Sequence, residues 1–178
     1  MTIGETTTSR KYRLRPRPIL FLVWSALLLV TFYSSQVAAQ DDDEIDAPPP
    51  LKIIPKNDSS QLSAESDAKD RTRLSLTLMD SHVATVERLA TGHEFDLAIR
   101  ELGSFEALMD DSVGYLEQKD SSKGRTLDAF KRLEMGLRSF MPRIETVRRL
   151  LPLRFDTYVR RLMKGLRDAR AKAVDPMF

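Results

Sequence analysis

Nine basic side chains crowd the end of the chain: Arg148, Arg149, Arg154, Arg160, Arg161, Lys164, Arg167, Arg170 and Lys172. Arg160, Lys164 and Arg167 recur at steps of four and three, which puts them on one face of a helix, with Arg161 beside them. A strip of this kind can hold anions: phospholipid headgroups, an acidic envelope polymer or an acidic partner protein. The same charges can instead be solvated or meet acidic helices elsewhere in the chain. The candidate binding set is Arg154, Arg160, Arg161, Lys164, Arg167 and Arg170. No aromatic platform is interleaved with these arginines, so nucleic acid is not an expected partner.

Other chemistries find less support. His82 and His93 stand eleven residues apart, and neither has a second ligand at the i, i+4 spacing of a helical metal site. Asp110 and Asp111 are adjacent and so point to different faces of a helix, a poor arrangement for acid–base work; Glu94 and Asp96 are read as a solvated face. The chain has no cysteine, which excludes a disulfide framework, a thiolate metal site and a cysteine nucleophile. No glycine-rich phosphate loop follows a strand, and no Gly-x-Ser-x-Gly elbow is present. No catalytic residue, metal or cofactor is expected, and the chain is read as non-enzymatic.

The elements that carry these residues are helical. Residues 127–151 hold apolar side chains at Leu127, Phe130, Leu133, Leu137, Phe140 (or Met141), Ile144, Val147 and Leu151, in steps of three and four. One face of a long helix is therefore apolar, and the other segments are what must cover it. A first helix is predicted over 67–90, with Leu76, Met79, Val83, Val86 and Ala90 inward. A second runs to about 118 with Phe95, Ala98, Leu102, Phe105, Met109 and Leu116 inward. A last helix after Pro152 carries Phe155, Val159, Leu162, Leu166, Ala169 and Ala173. Thr91 and Glu94 have the spacing of a capping box. Pro142 lies inside the third stripe, which stays in phase on both sides, so a bend is expected there. Pro152 suits the first turn of a new helix and makes the preceding turn short. Gly103, Gly114, Gly136 and Gly165 each sit beside a stripe residue and are read as places of close helix approach.

At the other end, Arg10, Lys11, Arg13, Arg15 and Arg17 precede an uncharged run over 19–33, and Val37, Ala38 and Ala39 follow. This is the order of an export signal cleaved near Ala39, with an uncleaved membrane anchor as the alternative. Residues 40–66 are acidic, then proline-rich (Pro48, Pro49, Pro50), then polar, and are expected to be a disordered linker. The charge is segregated. Residues 58–120 carry six basic and fourteen acidic groups, and residues 138–178 carry eleven basic and four acidic ones. Oppositely charged helices of one small domain can steer one another together, or leave two separately exposed faces.

Gly92, Phe95, Asp96, Ala98, Ile99, Leu102 and Phe105 resemble the turn and second-helix start of a tetratricopeptide repeat. Here the glycine falls one residue early, and no second copy recurs thirty-four residues on. The resemblance covers residues 92–105 and implies an antiparallel helical hairpin and a protein-interaction role. The whole chain also resembles small exported helical proteins of bacteria for which no activity is assigned. The expectation is an all-α fold: four antiparallel helices over 67–174, sequential neighbours packed together and the third bent, with a signal peptide (1–39) and linker before it and a tail (175–178) after it. The expected function is binding of a protein partner in the cell envelope, through a helical groove or the basic strip. Peripheral binding to anionic membrane or envelope polymer is the alternative. The expected location is periplasmic or secreted.

Overall fold

The computed structural model describes residues 46–120 and 124–177. The expected leader, the start of the linker (40–45), residues 121–123 and Phe178 lie outside the described residues. The described part is all-α. It has five α-helices: α1 (Lys56–Ala64), α2 (Ala68–Thr91), α3 (Phe95–Glu117), α4 (Gly124–Leu150) and α5 (Asp156–Val174). Short 3₁₀ turns flank α5 at Leu153–Phe155 and Asp175–Met177. No described helix is long and apolar enough to cross a membrane.

The four long helices follow the apolar periodicity. On α4, Phe130, Leu133, Leu137, Phe140, Ile144 and Val147 are all buried, while Leu127 near its start and Leu151 just past its end are half-buried. Every position of the expected last stripe is buried, from Phe155 in the preceding 3₁₀ turn to Ala173 on α5. Phe105 of α3 meets Phe140 of α4 edge to face, with ring centroids 5.3 Å apart, both side chains buried. α2 starts on an N-cap: Asp67 accepts from the amides of Lys69 (3.0 Å) and Asp70 (3.1 Å). Those bonds hold the Asp67 carboxyl below its ordinary range.

The capping box expected of Thr91 and Glu94 does not form. Thr91 is the last residue of α2, and its hydroxyl donates to the Glu87 carbonyl inside that helix. Glu94 precedes α3 without a side-chain cap. The turn instead closes through the backbone, with Glu94 N–H on the Leu89 carbonyl (2.9 Å) and His93 in the left-handed region at φ 59°.

The helix order also departs from the expectation that consecutive helices are neighbours. α2 packs on α3 and on α4, and α5 packs on α4 and on α3; α3 and α4 face each other across the diagonal. Residue pairing gives the directions. Arg71 meets Asp111, so α2 and α3 are antiparallel, whereas Lys69–Asp128 and Arg143–Glu87 make α2 and α4 parallel. Pro142 lies within α4, on its exposed side, where the Arg138 carbonyl deprived of its amide partner can face water.

The linker expectation fails over its second part. Residues 46–55 form an extended strap across α3 and the start of α5, and α1 follows it. Ala47 N–H donates to the Arg154 carbonyl (2.9 Å) and Thr157 Oγ1 donates to Asp46 (3.0 Å). Lys52 Nζ reaches both Glu106 and Asp110 at 2.9 Å. Leu62 of α1 is buried, and its carbonyl accepts from Arg71. The strap is proline-rich and leaves Leu51 and Ile53 exposed, and α1 buries Leu62 alone among its apolar residues, so no periodicity marks either segment.

The four glycines divide. A Cβ on Gly136 would overlap a Leu76 methyl, a close approach between α4 and α2. A Cβ on Gly103 would lie 2.6 Å from the Leu51 carbonyl, so what approaches is the strap, not a helix. Gly114 faces open space and Gly165 an ordinary contact with Met109, which corrects the expectation for those two.

Candidate functional site

The parallel pair α2 and α4 leaves a groove between them. Gly136 draws the two helices together, with Leu76 as its floor. On one side of that contact Lys69, Asp128, Lys131, Arg132 and Met135 line a hollow of about 520 Å³. On the other side Arg73, Thr77, Asp80, Ser139 and Phe140 line a second, of about 350 Å³, and Leu76, Arg132 and Gly136 belong to both. Met135 is 60% exposed at the edge, next to the glycine.

The electrostatics of this groove are uneven. Its far end is closed by Arg143, which grips Glu87 through two bonds of 2.8 Å and reaches Asp80 at 2.5 Å. Those carboxylates push the Arg143 guanidinium further up from an already high range, Glu87 contributing most. Lys69 pairs with Asp128 at 3.4 Å. Lys131 and Arg132 pair with no carboxylate among the described residues, and the Nε–H of Arg132 is buried without an acceptor. Sequence reasoning missed this site. The apolar stripe of α4 does not contain Met135, and nothing in the periodicity distinguishes Arg132 from the other arginines of the helix.

Of the basic strip, Arg154 lies in the 3₁₀ turn before α5 and the other five on α5, and four of the six have a carboxylate partner. Arg160 pairs with Asp156 (2.5 Å) and Lys164 with Asp168 (2.7 Å), each four residues away on the same helix. Arg154 meets Asp96 at 3.5 Å. Arg170 leaves the strip and donates to Glu134 of α4 at 2.8 Å. Glu134 is buried and also accepts from Arg138, and the Arg170 bond holds its carboxyl below the ordinary range. Arg161 and Arg167 are exposed and pair with no carboxylate among the described residues.

Two buried polar nodes lie elsewhere. His82 of α2 is bracketed by carboxylates, Asp58 of α1 on Nε2 (2.9 Å) and Glu101 of α3 on Nδ1 (2.5 Å). It is largely covered rather than a plain surface residue. The carboxylates sit on opposite edges of the ring and do not converge on one point, so the node ties α1 to α2 and α3 without forming a ligand shell. Among the described residues no group of three His, Asp or Glu could hold a metal ion. His93 is exposed in its turn, edge-on to Phe95 at 5.5 Å. The second node is under the strap, where Tyr158 Oη donates to Glu106 (3.2 Å), which Lys52 covers. Burial, with the Glu106 carboxylate beside it, pushes the Tyr158 phenol far above its ordinary range. Asp110 and Asp111 diverge, one to Lys52 and the other to Arg71.

No protein-family model, curated protein or solved structure matches the chain.

Proposed function

We propose that the chain is an exported, non-enzymatic binding module that takes a protein partner of the cell envelope along the α2/α4 groove. The observation that carries this reading is the exposed Met135 beside the Gly136–Leu76 contact, an apolar spot in an open groove with unbalanced positive charge. The strap and α1 lie over α3 and α2, and the outward face of α5 carries the Arg160–Asp156 and Lys164–Asp168 ion pairs. Export rests on the leader over 1–39 and on cleavage near Ala39; secreted protein whose mass begins at Met1 overturns cleavage. The tetratricopeptide-like residues 92–105 point toward protein interaction as well, and a bend at Pro142 would set the angle at which α4 meets a partner.

A photo-crosslinking residue placed at position 135 in living cells should give one discrete heavier species, and the same residue at position 161 should give none. Equal adducts at both positions, or none at 135, overturn the reading. Exposed Arg161 and Arg167, without carboxylate partners among the described residues, favour a second reading, in which α5 rests on anionic lipid or polymer. Flotation of the protein with anionic vesicles, lost in Arg161→Glu/Arg167→Glu and fading with salt, would support it; no flotation at low salt would end it.

A further inference from the structure

We infer that the occupant of the α2/α4 groove is an acidic amphipathic helix of the partner, a carboxylate of which pairs with Arg132 while an apolar side chain packs on Met135 and Leu76. The inference rests on the proposed function above and names the chemistry of the partner at that site.

Four observations carry it. Arg132 has five N–H donors; its Nε–H is buried without an acceptor, so an outside carboxylate would meet the terminal Nη groups, which pair with no carboxylate among the described residues. A guanidinium is built for two-pronged pairing with a carboxylate, and every other arginine that bridges α4 to a neighbouring helix has one: Arg143 with Glu87, Arg148 with Asp156, Arg170 with Glu134. Arg132 is half-buried and lacks that partner within the described chain.

The second observation is charge. Lys131 beside it is also without a counter-ion among the described residues, so an acidic ligand meets net attraction and a basic one repulsion. The third is shape. Met135 is an unbranched, adaptable apolar side chain at the edge of a floor made by Leu76 and Gly136, the kind of surface that receives an aliphatic anchor. The fourth is length. The lining residues of α4 run from 128 to 140, which at the helical rise is about 18 Å, room for roughly twelve residues or three turns of a docked helix.

The test uses the full chain with isotope-labelled methionine methyl groups and three synthetic, end-capped fourteen-residue helical peptides. All three carry Leu at i, i+4 and i+7; the flanking positions are Glu in one, Gln in the second and Lys in the third. The Glu peptide should shift the Met135 methyl and leave that of Met163 on α5 in place, with affinity at least tenfold above the Gln peptide at low salt. The Lys peptide should not bind. Arg132→Gln should remove most of the Glu-over-Gln preference while leaving the Gln peptide's affinity unchanged. Lys131→Gln, at an exposed position that cannot disturb the fold, should reduce the preference in part.

Equal shifts from the Glu and Gln peptides overturn the inference, as does a preference as large in Arg132→Gln as in the parent, a shift at Met163 in place of Met135, or no Met135 shift at millimolar peptide. A dimer that Met135→Glu converts to monomer overturns it too, because a second copy would then be the occupant. If position 135 crosslinks in cells while the peptides show no charge preference, the groove stands and only the acidic helix falls. If position 135 does not crosslink, the parent reading falls.

Discussion

Replacing Gly103 by alanine separates two effects that ordinarily run together. In a helix interior this change is favourable by about 1 kcal/mol, because glycine has more freedom to lose. The new methyl would meet the Leu51 carbonyl at 2.6 Å and Pro50 Cβ at 3.2 Å. Relief to the 3.4 Å of ordinary contact needs a retreat of the strap backbone by about 0.8 Å. The next residue is Lys52, whose 2.9 Å bonds to Glu106 and Asp110 would then stretch past hydrogen-bonding range, and the Ala47–Arg154 bond lies on the same strap. Losing the backbone bond and the two Lys52 ion pairs costs about 1–3 kcal/mol, discounted toward the lower figure because Lys52 is 49% exposed. The two sides nearly cancel in the whole fold, but they fall on different parts of it. Gly103→Ala should leave the melting temperature close to that of the parent while the Ala47 amide loses its protection from hydrogen exchange. Gly114→Ala, with nothing within 4 Å of the new methyl, should raise the melting temperature by about 2–5 °C and leave Ala47 protected. An Ala47 amide as protected in Gly103→Ala as in the parent, together with the same rise in melting temperature as Gly114→Ala, would refute the reasoning.

The remaining predictions concern the bundle itself. Gly136→Leu should lower stability by about 1–3 kcal/mol through overpacking against Leu76, and an unchanged melting temperature would refute the close contact. Tyr158→Phe removes the hydroxyl that donates to buried Glu106 and should cost about 1 kcal/mol in denaturant unfolding, with no cost if water replaces it. On acidification the fold should weaken between about pH 5 and pH 2. Arg148 holds Glu145 down to about 2 and Asp156 below its ordinary range, and a depressed folded carboxyl contributes stability above its unfolded titration that is lost as pH falls. Arg148→Met should lower the melting temperature at neutral pH and flatten its decline in acid; an equally steep decline would remove Arg148 as the cause.

The helices were legible because each buries a stripe, and the stripe is a local property. Phe130, Leu137 and Ile144 declare α4 whatever lies beside it, and Val159, Leu162 and Leu166 do the same for α5. The strap and α1 were not legible. Their hold on the domain runs through single long-range contacts, Asp58 to His82 and Lys52 to Glu106, which leave no period in the sequence. The basic strip was legible as a placement and illegible as a charge. Even so, Asp156 and Asp168 stand four residues from Arg160 and Lys164, a spacing that signals neutralisation on a helix face.

The packing order was hidden for a related reason, and it decides where the groove lies. α3 carries buried apolar residues around most of its circumference, among them Ile99, Leu102, Phe105, Leu108 and Val113. One neighbour cannot cover such a helix, so α2, α5 and the strap share it. With α3 enclosed, α4 takes its place on α2, parallel to it, and crosses the core from α3 through the Phe105–Phe140 contact. Two parallel helices joined at a glycine can close at that point without closing along their whole length. The Arg143 ion pairs seal one end, and the stretch around Arg132 and Met135 stays open. The groove is thus a consequence of α3 needing cover on several sides, and filling it from outside would complete on α4 the kind of pairing that Arg143, Arg148 and Arg170 already have within the chain.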